Sequence, residues 1–143
     1  MKSKLLTFLS VTGFFIVSLY TTSALAADHK VVIQISSKDP LTQKIVLNNA
    51  VNLQKHYGMD NIDIEVVAYG PGLGIMTPKN PQGKRIASLS QSNIKFSACG
   101  NTIKKITKKK GKAPKLVDGV KVVPAGAAYI IELQEKGYAY IRP

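Results

Sequence analysis

The apolar positions of this chain fall into short β-rich runs that alternate with runs of helical spacing. Val31-Val32-Ile33-Gln34-Ile35 is a β-branched run of strand length. Ser36-Ser37-Lys38 follows as a loop, and Asp39-Pro40 has the form of a helix start, with Asp as N-cap and Pro at the first helical position. Val46, Ala50, Leu53 and Tyr57 recur at helical spacing and predict one apolar face, and Gly58 predicts a left-handed cap. Ile62 to Tyr69 reads as a second strand, acidic at its start and apolar towards its end. Gly70-Pro71-Gly72-Leu73-Gly74 is a glycine-rich loop, and a Pro/Gly/Asn-rich stretch runs from Thr77 to Gly83. Ile86 and Leu89 predict a short helix ending near Ser92-Asn93. Ile94 to Ala98 reads as the third strand, Cys99 to about Thr107 as a turn leading into a helix, and Val120 to Val123 as the fourth strand. Pro124-Ala125-Gly126 then leads into a helix carrying Ile130, Ile131 and Leu133, capped by Gly137, and Tyr138 to Ile141 closes as a fifth strand.

Strands separated by helical segments imply βαβ crossovers, hence a parallel sheet covered on both faces. The amino-terminal segment stands apart from this alternation. Met1-Lys2-Ser3-Lys4 is a positive n-region, Leu5 to Leu19 is apolar but interrupted, and Ala24-Leu25-Ala26 has the small-x-small form of a cleavage site. Residues 1–26 are therefore expected to be a secretory signal peptide cleaved after Ala26, and residues 27–143 a single α/β domain in the periplasm. The apolar stretch is too short and too interrupted for a good spanning helix. It carries no Arg-Arg pair before it and no cysteine after it, which favours the general secretory route and a chain without a lipid anchor.

Charge narrows the partners. The full chain has a formal net charge of +12, and removal of Lys2 and Lys4 with the signal leaves +10. In an exported protein this balance points away from nucleic acid and towards an acidic protein, an anionic lipid surface or anionic substrates. Seven lysines gather between Lys104 and Lys115, a run that reads as a solvated helix end and loop or as a docking patch.

Cys99 is the single cysteine. An unpaired thiol in an exported chain suggests intermolecular pairing or reactive chemistry. In an open parallel sheet, ligands bind outside the carboxyl ends of the strands. Four loops should gather there: Ser36-Ser37, Tyr69 to Gly74, Cys99 to Thr102, and Pro124 to Gly126. A helix beginning near Gly100 to Thr102 would aim free N–H groups at the sulfur and favour its thiolate, and nearby lysines would add to this if they approach. No Cys/His cluster is present that could build a zinc site, and no cofactor is expected.

Phe96-Ser97-Ala98-Cys99-Gly100-Asn101-Thr102, with Val122-Val123-Pro124-Ala125-Gly126 and the terminal Gly137-Tyr138-Ala139-Tyr140-Ile141-Arg142-Pro143, resembles the DsrE/DsrF-like family in an exported branch. The resemblance spans Lys30 to Pro143. It implies a three-layer α/β/α sandwich with a five-stranded, mostly parallel sheet, often assembled as a homo-oligomer. Family members active in sulfur relay carry a persulfide on a cysteine after a central strand, the place that Cys99 holds here. The expected function is sulfur handling, as a sulfur carrier or sulfurtransferase with the persulfide on Cys99 and a sulfane-sulfur donor or acceptor, small molecule or protein, as partner. Gly100, Asn101 and Thr102, with Gly70, Gly72 and Gly126, are the expected binding residues around it. The alternative is a non-catalytic binding or oligomeric assembly module, and a third reading makes Cys99 a staple between subunits.

Other motifs carry less. The Gly70 to Gly74 loop lacks the Lys-Ser/Thr ending of a phosphate cradle and reads as a pocket wall. Asp63 and Glu65 share one face of a strand at its amino end, away from the expected pocket. His56, beside Lys55, sits where a helix end is stabilised by a cation. Cleavage after Ala26 would leave Ala27-Asp28-His29, whose amine, amides and imidazole suit square-planar Cu(II) or Ni(II).

Overall fold

The computed structural model describes residues 27–143, and the expected signal peptide lies outside them. Five strands form one sheet in the order β4-β3-β2-β1-β5, with every neighbouring pair parallel. They are β1 (His29–Ile35), β2 (Ile62–Ala68), β3 (Ile94–Cys99), β4 (Val120–Val123) and β5 (Ala139–Ile141). The helices are α1 (Pro40–Tyr57), α2 (Gly83–Ser90), α3 (Gly100–Lys110) and α4 (Gly126–Glu135), with a 3-10 segment over Gly70–Met76. The result is the parallel sheet covered on both faces that the alternating pattern predicts, and the three-layer α/β/α sandwich that the resemblance implies.

Strand order explains the layering. From β1 to β4 each new strand is added on the same side of the last, so crossovers of one hand lie on one face. That face holds the main core. Val46, Leu47 and Ala50 of α1, Leu73 to Met76, Ile86 of α2 and the partly buried Ile103 and Ile106 of α3 pack against Ile33, Ile64, Phe96 and Ala98. The connection from β4 returns to the far side of β1, which reverses direction and throws α4 onto the opposite face. There Ile130 and Leu133 cover Val32 and Val67. The central strands are buried on both faces, which is why they read as nearly continuous apolar runs.

Local structure follows the sequence with a few corrections. Asp39 is extended and accepts hydrogen bonds from the Thr42 amide and hydroxyl at 2.7 and 2.8 Å, and Pro40 opens α1 as expected. The buried face of α1 is Gln43, Val46, Leu47 and Ala50, rotated from the expected one. Tyr57 lies at the helix end, largely exposed, and packs on the His29 ring at 4.0 Å instead of entering the core. Gly58 has φ 92° and ψ 146°, a conformation that favours glycine but is not the left-handed helical cap. The predicted Gly70 to Gly74 loop is the start of the 3-10 segment, and α3 begins at Gly100 without the expected intervening turn. A left-handed cap does occur at Gly111, whose N–H donates to the Thr107 carbonyl at 2.8 Å.

Among the described residues, no helix is long and apolar enough to cross a membrane.

Candidate functional site

Neighbouring strands β3 and β4 send their outgoing connections to opposite faces of the sheet. The chain leaving β3 enters α3 on the main-core face, and the chain leaving β4 enters α4 on the other. Such a divergence opens a crevice at the carboxyl ends of the two strands. Cys99 is the last residue of β3 and the N-cap of α3, so it stands at that crevice. Gly126, the first residue of α4, lies beside it: a Cβ placed on Gly126 would stand 3.1 Å from Cys99 Cβ and 3.3 Å from Tyr69 Cβ. Two helix N-termini therefore converge on one sulfur.

The electrostatics follow from that convergence. Burial pushes the Cys99 thiol up, but the nearby donors of the Gly126 amide, the Thr102 hydroxyl and amide, and the Asn101 amide together outweigh it and lower the thiol below its ordinary value. These are the unsatisfied first-turn donors of two helices, and they favour an anion. Thr102 is fixed in turn, because its hydroxyl accepts the Gly70 amide at 2.9 Å. None of the main causes of the shift at Cys99 is a lysine. The α3 lysines cluster from its middle to its far end, where Lys108, Lys109 and Lys110 occupy the last turn. The conditional expectation that they support the thiolate does not hold.

The other predicted site residues separate into two groups. Gly100 is buried against the carbonyls of Val123 and Pro124, where a Cβ would stand 3.1 and 3.2 Å away, so it lets α3 and the end of β4 approach. Asn101 acts through its amide, which also donates to the Pro124 carbonyl at 3.1 Å, while its side chain is exposed. Thr102, Gly70 and Gly126 meet around Cys99. Gly72 does not: it is buried against the end of β1, where a Cβ would lie 2.4 Å from the Ile35 carbonyl oxygen. Its glycine is required for packing the 3-10 segment onto the sheet edge. Ser36 and Ser37 are likewise engaged locally, with Gln34 and with the Asp39 amide.

The DsrE/DsrF-like family profile matches residues 18–143. The chain belongs to this family. Sulfur relay is the theme associated with the family in general. Two solved structures resemble this DsrE/DsrF-like protein. Protein MTH1491 of Methanobacterium thermoautotrophicum, described as of unknown function, has 30% sequence identity and a TM-score of 0.73, with 81% of this chain and 100% of that one covered. The ychN protein of E. coli shares the fold at 15% identity and a TM-score of 0.54, with coverage of 80% and 96%. No curated protein matches the chain.

Sequence reasoning missed the polar side chains that share the α4 face with Cys99. Ser97, two residues before it on β3, donates to Glu65 Oε1 at 2.5 Å, and both are almost fully buried. Burial raises the Glu65 carboxyl above the usual range, against the opposing effects of the Ser97 hydrogen bond and the Lys95 charge. One step nearer the strand start, Lys95 Nζ pairs with Asp63 at 2.7 Å, and the Tyr138 hydroxyl donates to the same carboxylate at 2.6 Å. Burial opposes ionisation of Asp63, but Lys95 and Tyr138 outweigh it and lower its pKa. The period-2 alternation of Lys95, Ser97 and Cys99, and of Asp63, Glu65 and Val67, was the available signal.

Among the described residues, no group of three or more His, Cys, Asp or Glu is placed to hold a metal ion. The His29 amide donates to the Asn61 carbonyl at 3.1 Å and its imidazole stacks on Tyr57.

Proposed function

We propose that this protein is a periplasmic sulfur handler in which Cys99 accepts, holds and passes on a sulfane sulfur. The reading is supported above all by the convergence of the α3 and α4 N-termini on the Cys99 sulfur. The thiolate attacks the outer sulfur of a donor R–S–S⁻, forming a Cys99 S–S bond and releasing R–S⁻. The product is a persulfide anion at Cys99. An acceptor thiolate then attacks the outer sulfur, takes it, and leaves the Cys99 thiolate, so no external oxidant or reductant is consumed. The donors from Gly126, Thr102 and Asn101 are positioned to stabilise the anionic sulfur before and after loading.

Cys99 is only 6% exposed. That burial disfavours a disulfide staple between subunits, since two β-carbons must come within about 4 Å. It also favours the second reading, a binding module in which the thiol is a packed side chain. Treatment with polysulfide followed by intact-mass measurement separates the two. The sulfur-handling reading expects wild type to gain the mass of one sulfur atom, Cys99→Ser to gain none, and an added thiol to strip the gain. An unmodified wild-type protein that keeps its helical circular dichroism would overturn it.

A further inference from the structure

The end of α3 remote from Cys99 faces a groove that the sulfur chemistry does not use. Lys79, Lys110, Lys112 and Lys115 line a concavity of about 430 Å³ over a floor that includes Ile106 and Pro114. A second concavity of about 320 Å³ shares Pro78 and Lys115 with it and adds Lys84 on its wall. The joined groove thus runs along the connector between α3 and β4, with five lysines on its walls and Asp118 as the acidic residue at one end.

The connector itself supplies a second feature. Among the described residues, no backbone group from Lys112 to Leu116 makes a backbone hydrogen bond, and pairing resumes at Val117, whose N–H donates to the Met76 carbonyl at 2.9 Å. Five consecutive residues outside any helix or strand therefore offer five carbonyls and, since Pro114 has no N–H, four amides without a backbone partner beside a basic trough. An extended polypeptide can satisfy such groups by strand-like pairing, while alternate side chains reach the walls and floor.

We propose that this groove docks an extended acidic segment of a partner protein, its backbone pairing with Lys112 to Leu116 and its carboxylates meeting the lysines. The chemistry of the walls selects this occupant. Clustered lysines also attract anionic headgroups, but a broad bilayer surface cannot enter a concave groove or pair with its main-chain groups, and the exposed large hydrophobic residues of this chain, such as Leu41, Ile131 and Tyr140, all lie outside it. Phosphates would also meet these lysines, but no aromatic side chain lines the groove on which bases could stack. Along α3 the groove begins at Ile106, about 10 Å from Cys99, and extends past Lys110 at the far end of the helix, so its occupation leaves the thiol open. The proposal stands whichever sulfur chemistry Cys99 carries.

The test is fluorescence anisotropy at physiological salt with a fluorescein-labelled peptide of alternating Glu and Val. Three proteins are compared: wild type, Lys110→Gln/Lys112→Gln/Lys115→Gln, and a control that removes the same charge elsewhere, Lys38→Gln/Lys44→Gln/Lys55→Gln. The groove variant should bind about 10-fold or more weakly, and the control should stay within about 3-fold of wild type. N-methylation of alternate peptide amides should weaken binding to wild type by about 10-fold. Equal losses in both lysine variants, indifference to N-methylation, or binding to phosphatidylglycerol vesicles or oligothymidine without binding to the peptide would each overturn the proposal.

Discussion

The two faces of the sheet are built from the same five strands and do different work. Under α1, α2, α3 and the 3-10 segment, the sheet presents Ile33, Ile64, Val66, Phe96 and Ala98 to a continuous apolar core. Under α4 it presents Val32 and Val67 interleaved with Gln34, Asp63, Glu65, Lys95 and Ser97. One helix cannot cover five strands, so the second face buries less apolar surface and tolerates carboxylates and hydroxyls that the first would exclude. Cys99 belongs to this second face by strand alternation. Its thiol consequently meets polar donors rather than a hydrocarbon wall. The larger apolar core lies on one side of the sheet, and the thiol and its polar neighbours lie on the other.

Matched truncations test that division most forcefully. Leu47 of α1 is fully buried on the core face, and Leu133 of α4 is nearly so on the other. Leu47→Ala should cost towards the upper end of the range of about 2–5 kcal/mol, and Leu133→Ala towards its lower end. Urea unfolding measures both, and equal losses would break the comparison.

The paired glycines give a smaller contrast. A Cβ on Gly72 would meet the Ile35 carbonyl at 2.4 Å, a backbone atom that has little room to yield. Gly72→Ala should cost about 1–3 kcal/mol. At Gly126 the nearest atom is the Cys99 Cβ at 3.1 Å, a side chain that can shift by tenths of an ångström. Gly126→Ala should lower the melting temperature less than Gly72→Ala, while displacing the amide from the sulfur and slowing Cys99 alkylation near neutral pH.

A third effect appears only as pH dependence. The folded Glu65 carboxyl titrates above its usual value of about 4.5, so its contribution to stability is complete below that pH and is lost as pH rises through the folded value. Asp63, lowered by Lys95 and Tyr138, behaves oppositely: its contribution is present above about 3.8 and is lost as pH falls through the folded value. Glu65→Gln should flatten the stability profile above pH 4.5, and Asp63→Asn should flatten it below pH 3.8. Melting temperatures across that range check both signs.

Much of this arrangement was legible before any coordinates. Asp39-Pro40, the β-branched strands and the alternation of strand and helix define the sandwich because they act locally, through capping, propensity and periodicity. Cys99, Gly126 and Thr102 could be placed at the sheet's carboxyl edge by topology alone. The role of Gly72 was not legible, since only tertiary packing reveals that the 3-10 segment presses on the Ile35 carbonyl. Glu65 could be placed with Asp63 on one face at the amino end of a strand, but its burial could not be read. It is buried because α4 returns across that face, a consequence of strand order that no local pattern encodes. The lysine run could be read as a solvated surface or a docking patch. The connector's unpaired backbone, on which the proposed docking rests, is invisible in composition.

The account turns on the state of one thiol, and its uniqueness in the chain makes it directly measurable. The rate of alkylation of folded protein by iodoacetamide should rise with pH about a midpoint below that of the same protein unfolded in urea. Thr102→Val, which removes a hydroxyl bonded to both the sulfur and the Gly70 amide, should move the folded midpoint back towards the unfolded one. A folded midpoint at or above the unfolded value would contradict the claim that the N-termini of two helices lower the pKa of the Cys99 thiol.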